Sequence, residues 1–133
     1  FELFLAQLKQ YRPDTYADYI VCTTDQNSPL HVLATKSKWT TLTIPAHVGG
    51  RYSVFTAVGL FPLAMLDIDI DGLLRGAQEM RNQCLQKENN PAAQTAAWLY
   101  ALIQKKYTLA NLFLFSNELR GLGSWWRQLV GES

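Results

Sequence analysis

The sequence predicts an α/β fold, and three observations lead to it. Two short β-rich runs, Tyr19-Ile20-Val21-Cys22-Thr23-Thr24 and Trp39-Thr40-Thr41-Leu42-Thr43-Ile44, flank a helical segment at the spacing of a βαβ unit. A third run, Asn111-Leu112-Phe113-Leu114-Phe115, follows further helical stretches, so strands alternate with helices. The hydrophobic content of 48% can fill a buried layer, while the 17% charged content is lean for a small free-standing domain.

Taken in order, the chain starts in a helix, with apolar residues at Phe1, Phe4, Leu5 and Leu8. Arg12-Pro13-Asp14 ends it, and a short helical turn follows. The continuous run 19–24 suits a strand of a parallel sheet buried on both faces. Ser28-Pro29 opens the next helix, the serine as cap and the proline at the first helical position, and that helix runs to about Lys36. Pro45 closes the second strand.

After Gly49-Gly50 a buried helix is expected from roughly Ser53 to Leu66. Asp67-Ile68-Asp69-Ile70-Asp71 leads into an amphipathic helix ending near Gln86. Lys87-Glu88-Asn89-Asn90-Pro91 reads as the clearest linker, and Pro91 opens a helix to Lys105 that is apolar on most sides. Ser116-Asn117-Glu118 caps a last helix, Leu119 to about Val130. Three strands make a poor sheet alone, because both edges stay open. The chain reads as truncated at both ends, and its open edges and apolar helix 92–103 predict self-association.

Composition narrows the function classes. A net charge of +1 with scattered lysines and arginines gives no footprint for nucleic acid or an anionic membrane. The longest nearly apolar run, Val54 to Leu66, contains Thr56 and Pro62 and is too short to span a bilayer. Cys22 and Cys84 lack metal-ligand spacing; Cys22 reads as a small buried hydrophobe, and reduced thiols in a cytoplasmic setting are expected.

Several residues could carry chemistry. Gly49-Gly50-Arg51 lies just beyond a strand's carboxyl end, where open α/β sheets bind ligands. Glycines let backbone approach a ligand, and an arginine there can hold a phosphate, carboxylate or oxyanion. The plainer alternative, a tight turn and a surface charge, is the one the residues by themselves favour, since strand-to-helix loops are routinely Gly-rich. Gln128 and Glu132 share a helix face four residues apart; the carboxylate is either a base at a cleft or a solvated terminal charge. Asp67, Asp69 and Asp71 lack calcium-loop spacing and read as helix-initiating. His31 and His47 have no partner at ligand spacing. Ser53 lacks a nucleophile-elbow context, and Trp125-Trp126 reads as core anchoring.

Residues Ala46-His47-Val48-Gly49-Gly50-Arg51-Tyr52-Ser53-Val54-Phe55-Thr56-Ala57-Val58-Gly59 resemble the sugar-isomerase signature of glucose-6-phosphate isomerases. The similarity continues through Leu60-Phe61-Pro62-Leu63-Ala64, Leu73-Leu74-Arg75-Gly76-Ala77, Asn90-Pro91-Ala92 and Trp125-Trp126-Arg127-Gln128-Leu129-Val130-Gly131-Glu132-Ser133. That resemblance implies a partial sugar-isomerase (SIS) domain with a parallel βαβ unit. Residues 1–88 would end the first sugar-isomerase domain, and 89–133 would supply the linking helix and the opening strand and helix of the second. It implies an aldose–ketose isomerase, an intramolecular oxidoreductase of glycolysis and gluconeogenesis. The reaction would interconvert glucose 6-phosphate and fructose 6-phosphate through a cis-enediolate.

By the same resemblance Glu132 is the base, Arg51 stabilises the enediolate, and Gln128 and Gly50 contact substrate. It implies no metal or organic cofactor, a homodimeric parent protein, and neither nucleic acid nor membrane as partner. The family's Ser/Thr-rich phosphate loop, its ring-opening His and its C-terminal Lys have no counterpart in these 133 residues, so the chain alone is expected to be inactive. The competing expectations are a non-catalytic sugar-phosphate-binding module, the isomerase half of a fusion with transaldolase, and a purely structural α/β piece.

Overall fold

A computed structural model describes all 133 residues, Phe1 to Ser133, as two compact units, Phe1–Ile68 and Asp69–Ser133.

The first unit is built on the predicted βαβ arrangement. Helix α1 spans Glu2–Tyr11, and a 3-10 turn at Tyr16–Tyr19 leads into β1, Val21–Asp25. Helix α2, Pro29–Lys36, crosses to β2, Thr40–Ile44. The strands pair in parallel, with Val21 opposite Thr40 and Asp25 opposite Ile44. Ser28 caps α2 as expected, its Oγ accepting from the His31 amide at 3.1 Å, and a 2.7 Å hydroxyl contact with Thr24 ties that cap to the end of β1.

Helix α2 ends with Lys38 in the left-handed region (φ 58°). The Trp39 amide donates to the Ala34 carbonyl at 2.9 Å and the Lys38 amide to Thr35 at 3.3 Å, which is a Schellman closure. That closure turns Trp39 back onto Ala34. Together with Ile20 and Cys22 they form the buried apolar core, backed by Leu5 and Leu8 of α1 and by Tyr16 and Ala17. The Phe1 ring meets Trp39 edge-on at 5.7 Å.

The segment expected as one buried helix from Ser53 to Leu66 is divided. A 3-10 stretch covers Gly50–Phe55, and α3 spans Ala57–Met65. Thr56 makes the break: its backbone is extended, and its Oγ1 accepts from the Val58 amide at 3.2 Å, capping α3. No residue of α3 is buried; its main packing is against the 3-10 stretch and β2. The strands also differ from expectation. Cys22 and Thr24 of β1 are buried, Val21 and Thr23 only half-buried, and no residue of β2 is buried, although Trp39 just before it is.

The second unit holds α4 (Ile70–Cys84), α5 (Pro91–Gln104) and α6 (Arg120–Glu132). Asp69 caps α4 by accepting from the Gly72 amide at 2.8 Å and lies 3.8 Å from Arg75, so the acidic run starts a helix as read. Asn90 caps α5 through the Ala93 amide. The expected third strand at 111–115 is absent, and that stretch is irregular. A strand needs a neighbour's ladder, and the sheet contains β1 and β2 alone. The architecture is therefore α/β with a two-stranded parallel sheet and mostly helices. No helix is long and apolar enough to cross a membrane.

Candidate active site

A cleft of 450 Å³ opens at the carboxyl ends of both strands. Thr23 and Asp25 line it from β1, Ile44 from β2, Val48 and Gly50 from the connection, Ser53 from the 3-10 stretch and Val58 from α3. This is where the carboxyl-end rule for open α/β sheets places a ligand.

A turn closed by the Val48 amide on the Pro45 carbonyl, at 3.0 Å, follows β2. The chain then enters the 3-10 stretch, where the Tyr52 amide donates to Gly49 at 3.0 Å. Gly50 therefore sits on the cleft wall and Arg51 next to it. The Arg51 side chain is half-buried, with its guanidinium carbon 5.0 Å from the centre of the Tyr52 ring.

Gly50 has no positive φ, and no atom outside its immediate neighbours lies within 4 Å of where a Cβ would stand. Neither backbone conformation nor packing within the chain demands a glycine there, and its open side belongs to a residue that lines the cleft. Gly59 is the opposite case, since a Cβ would overlap the Val54 carbonyl group. That glycine lets α3 close on the 3-10 stretch.

In the second unit, Gln128 and Glu132 meet on α6 as their spacing predicts. The Gln128 amide nitrogen donates to the two carboxylate oxygens at 3.4 and 3.3 Å. Each predicted pair is thus brought together inside its own unit, Gly50 with Arg51 and Gln128 with Glu132.

Motif and spacing alone give no role to Thr23, Asp25, Val48 or Ser53. Their signal was positional. Asp25 and Ile44 are the last residues of paired strands, and Ser53 follows Gly50 by three, the spacing of a hydroxyl that bonds back to the chain. His47 lies exposed in the turn before Gly49, and His31 lies in α2. The side chains contain no group of three or more His, Cys, Asp or Glu residues that could hold a metal ion.

These features define an open parallel α/β unit with a cleft at its strand ends. No family model matches the chain. Individual relatives do. It is 43% identical over 123 residues to glucose-6-phosphate isomerase of Mycoplasmopsis synoviae, covering 87% of this chain and 28% of that one. It is 40% identical over 128 residues to that of Leuconostoc mesenteroides (94% and 28%), and 38% over 137 residues to that of Streptococcus thermophilus (100% and 30%). Among solved structures, a hypothetical protein of Thermus thermophilus matches 99% of the chain with a TM-score of 0.92 and 33% identity, over 32% of its own length.

The resemblance read from the Gly-Gly-Arg motif therefore stands: the chain corresponds to a stretch of glucose-6-phosphate isomerase. It spans a little under a third of the length of the relatives it matches.

Proposed function

We propose that this chain is the part of a glucose-6-phosphate isomerase that supplies one wall of the active site and the catalytic base. The observation that carries the reading is the position of Gly50, with Arg51 next to it in the chain, on the wall of a cleft outside the carboxyl ends of paired parallel strands, in a sequence 38–43% identical to enzymes of that name.

Aldose–ketose isomerisation moves a proton between C1 and C2 of the open-chain sugar. The carbon acid needs a carboxylate held against it, and the oxygen that gains charge needs a fixed cation. In this reading Glu132 is the base. Gln128 holds the carboxylate in one orientation and reaches substrate, Arg51 faces the cis-enediolate oxygen, and Gly50 lets substrate approach the backbone. Proton transfer between adjacent carbons redistributes electrons within the sugar and calls for neither an external oxidant nor an organic cofactor.

The substrates are glucose 6-phosphate and fructose 6-phosphate, in a cytoplasmic homodimer serving glycolysis and gluconeogenesis. Residues 1–88 close one sugar-isomerase domain, and residues from 89 open the second. The 133 residues alone are inactive, because the phosphate loop and the ring-opening acid come from elsewhere in the protein.

The test is an isomerase assay of the full-length protein carrying this segment. Arg51→Ala and Glu132→Gln are each expected to lower kcat/KM by about 100-fold or more. Near-normal turnover in both variants would overturn the assignment. The purified 133-residue chain is expected to convert no fructose 6-phosphate, and measurable conversion would overturn the claim that it is incomplete.

A further inference from the structure

Ser53 is one of only two buried polar residues in the chain, at 5% exposure. Its hydroxyl is spent inside the loop, donating to the Gly50 carbonyl at 2.6 Å. That carbonyl and the Arg51 N–H belong to one planar peptide unit, so the bond fixes the plane from which the Arg51 side chain departs. Ser53 is anchored in turn. Its own carbonyl accepts from the Thr56 amide at 2.9 Å and from Thr56 Oγ1 at 2.7 Å. Thr56 is the cap of α3. A run of short hydrogen bonds therefore ties the Gly50–Arg51 peptide to the start of a helix.

We propose that Ser53 is a positioning residue for Arg51, holding the cation at the angle the enediolate requires. The inference rests on the role given to Arg51 above. It explains why a serine, unsuited here as a nucleophile, lies buried three residues after the cleft glycine. A cation displaced by about 1 Å forfeits on the order of 100-fold in rate, so a single hydroxyl can matter without touching substrate.

The test uses Ser53→Ala, which removes the donor, and Ser53→Cys, which keeps the volume but donates only weakly. In the 133-residue chain, the NMR order parameter of the Arg51 Nε–H is expected to fall in both variants, while the amides of Cys22 and Thr24 keep their shifts. In the full-length protein, kcat is expected to fall about 10- to 100-fold with KM within about twofold, the signature of an interaction made in the transition state.

Unchanged Arg51 order and unchanged kcat in both variants would overturn the proposal. So would wild-type behaviour of Ser53→Cys alone, which would make volume the cause, and so would β1 shifts that collapse with the activity. Arg51→Ala separates this proposal from the reading beneath it. If that variant turns over normally while the Ser53 variants still loosen Arg51, the catalytic role of Arg51 fails and the positioning stands.

Discussion

Residues 1–68 and 69–133 are almost equal in length and comparable in apolar content, yet their interiors differ. All six buried residues, Ile20, Cys22, Thr24, Ala34, Trp39 and Ser53, lie in the first stretch. The second buries none, and leaves Trp98 74%, Phe113 76% and Phe115 95% exposed. The difference lies in what each segment has to pack against. A parallel strand pair with its crossover helix brings three elements together from 24 consecutive residues, Val21 to Ile44, and α1 adds a fourth. Helices α4, α5 and α6 carry apolar faces without a sheet to lay them on.

The comparison breaks most directly at two tryptophans. Trp39 is the largest buried side chain of the core, so Trp39→Ala is expected to cost about 3–5 kcal/mol. A urea titration followed by far-UV circular dichroism would read this as a lower midpoint. Trp98→Ala on exposed α5 is expected to stay within about 0.5 kcal/mol. It should instead reduce self-association of the 133-residue chain, measured by light scattering. Equal losses of stability in the two variants would mean that the second unit has a core of its own.

The glycines sharpen the contrast at the site itself. Gly59→Ala drives a methyl group into the Val54 carbonyl and is expected to cost about 1–3 kcal/mol, as other overpacking changes do. Gly50→Ala meets open space at a negative φ, so its stability is expected to stay level or rise by up to about 1 kcal/mol. Thermal unfolding of both variants in parallel decides this. A large loss at Gly50 would show that the fold, rather than the cleft, demands that glycine.

These residues also show what the sequence made readable. Ser28, Asp69 and Asn90 announce their helices because each cap is a local hydrogen bond, complete within three residues. The βαβ unit is readable because alternating runs and a short crossover admit few topologies. The stretch 111–115 has the composition of a strand but no ladder to join, and pairing is a non-local property that composition does not carry. The break at Thr56 is hidden because apolar periodicity runs straight through it, while the capping hydroxyl that divides the segment is a single atom. Gly50, Arg51, Gln128 and Glu132 were singled out through motif and spacing, and of these Gly50 lines the cleft. Asp25 and Ser53 became visible only when the strand ends and the 3-10 turn placed them on the cleft.

The smallest expected effect probes the closed core through its one ionisable apolar member. Burial holds the Cys22 thiol above its ordinary pKa, because the low-dielectric core disfavours the thiolate. The folded chain therefore keeps a proton that the unfolded chain has already released. Stability from this group is complete below the ordinary thiol value of about 8.5. It falls as pH rises through that value toward the raised folded one. Other groups titrate in the same range, so the informative quantity is the difference between the chain and its Cys22→Ala variant, with urea midpoints measured at several pH values. The variant begins less stable because it leaves a small void beside Ala34 and Trp39. The gap between the two curves is expected to narrow above the ordinary thiol range. A gap that stays constant across that range would mean that Cys22 sits in contact with water, and that the first unit is less closed than its six buried residues indicate.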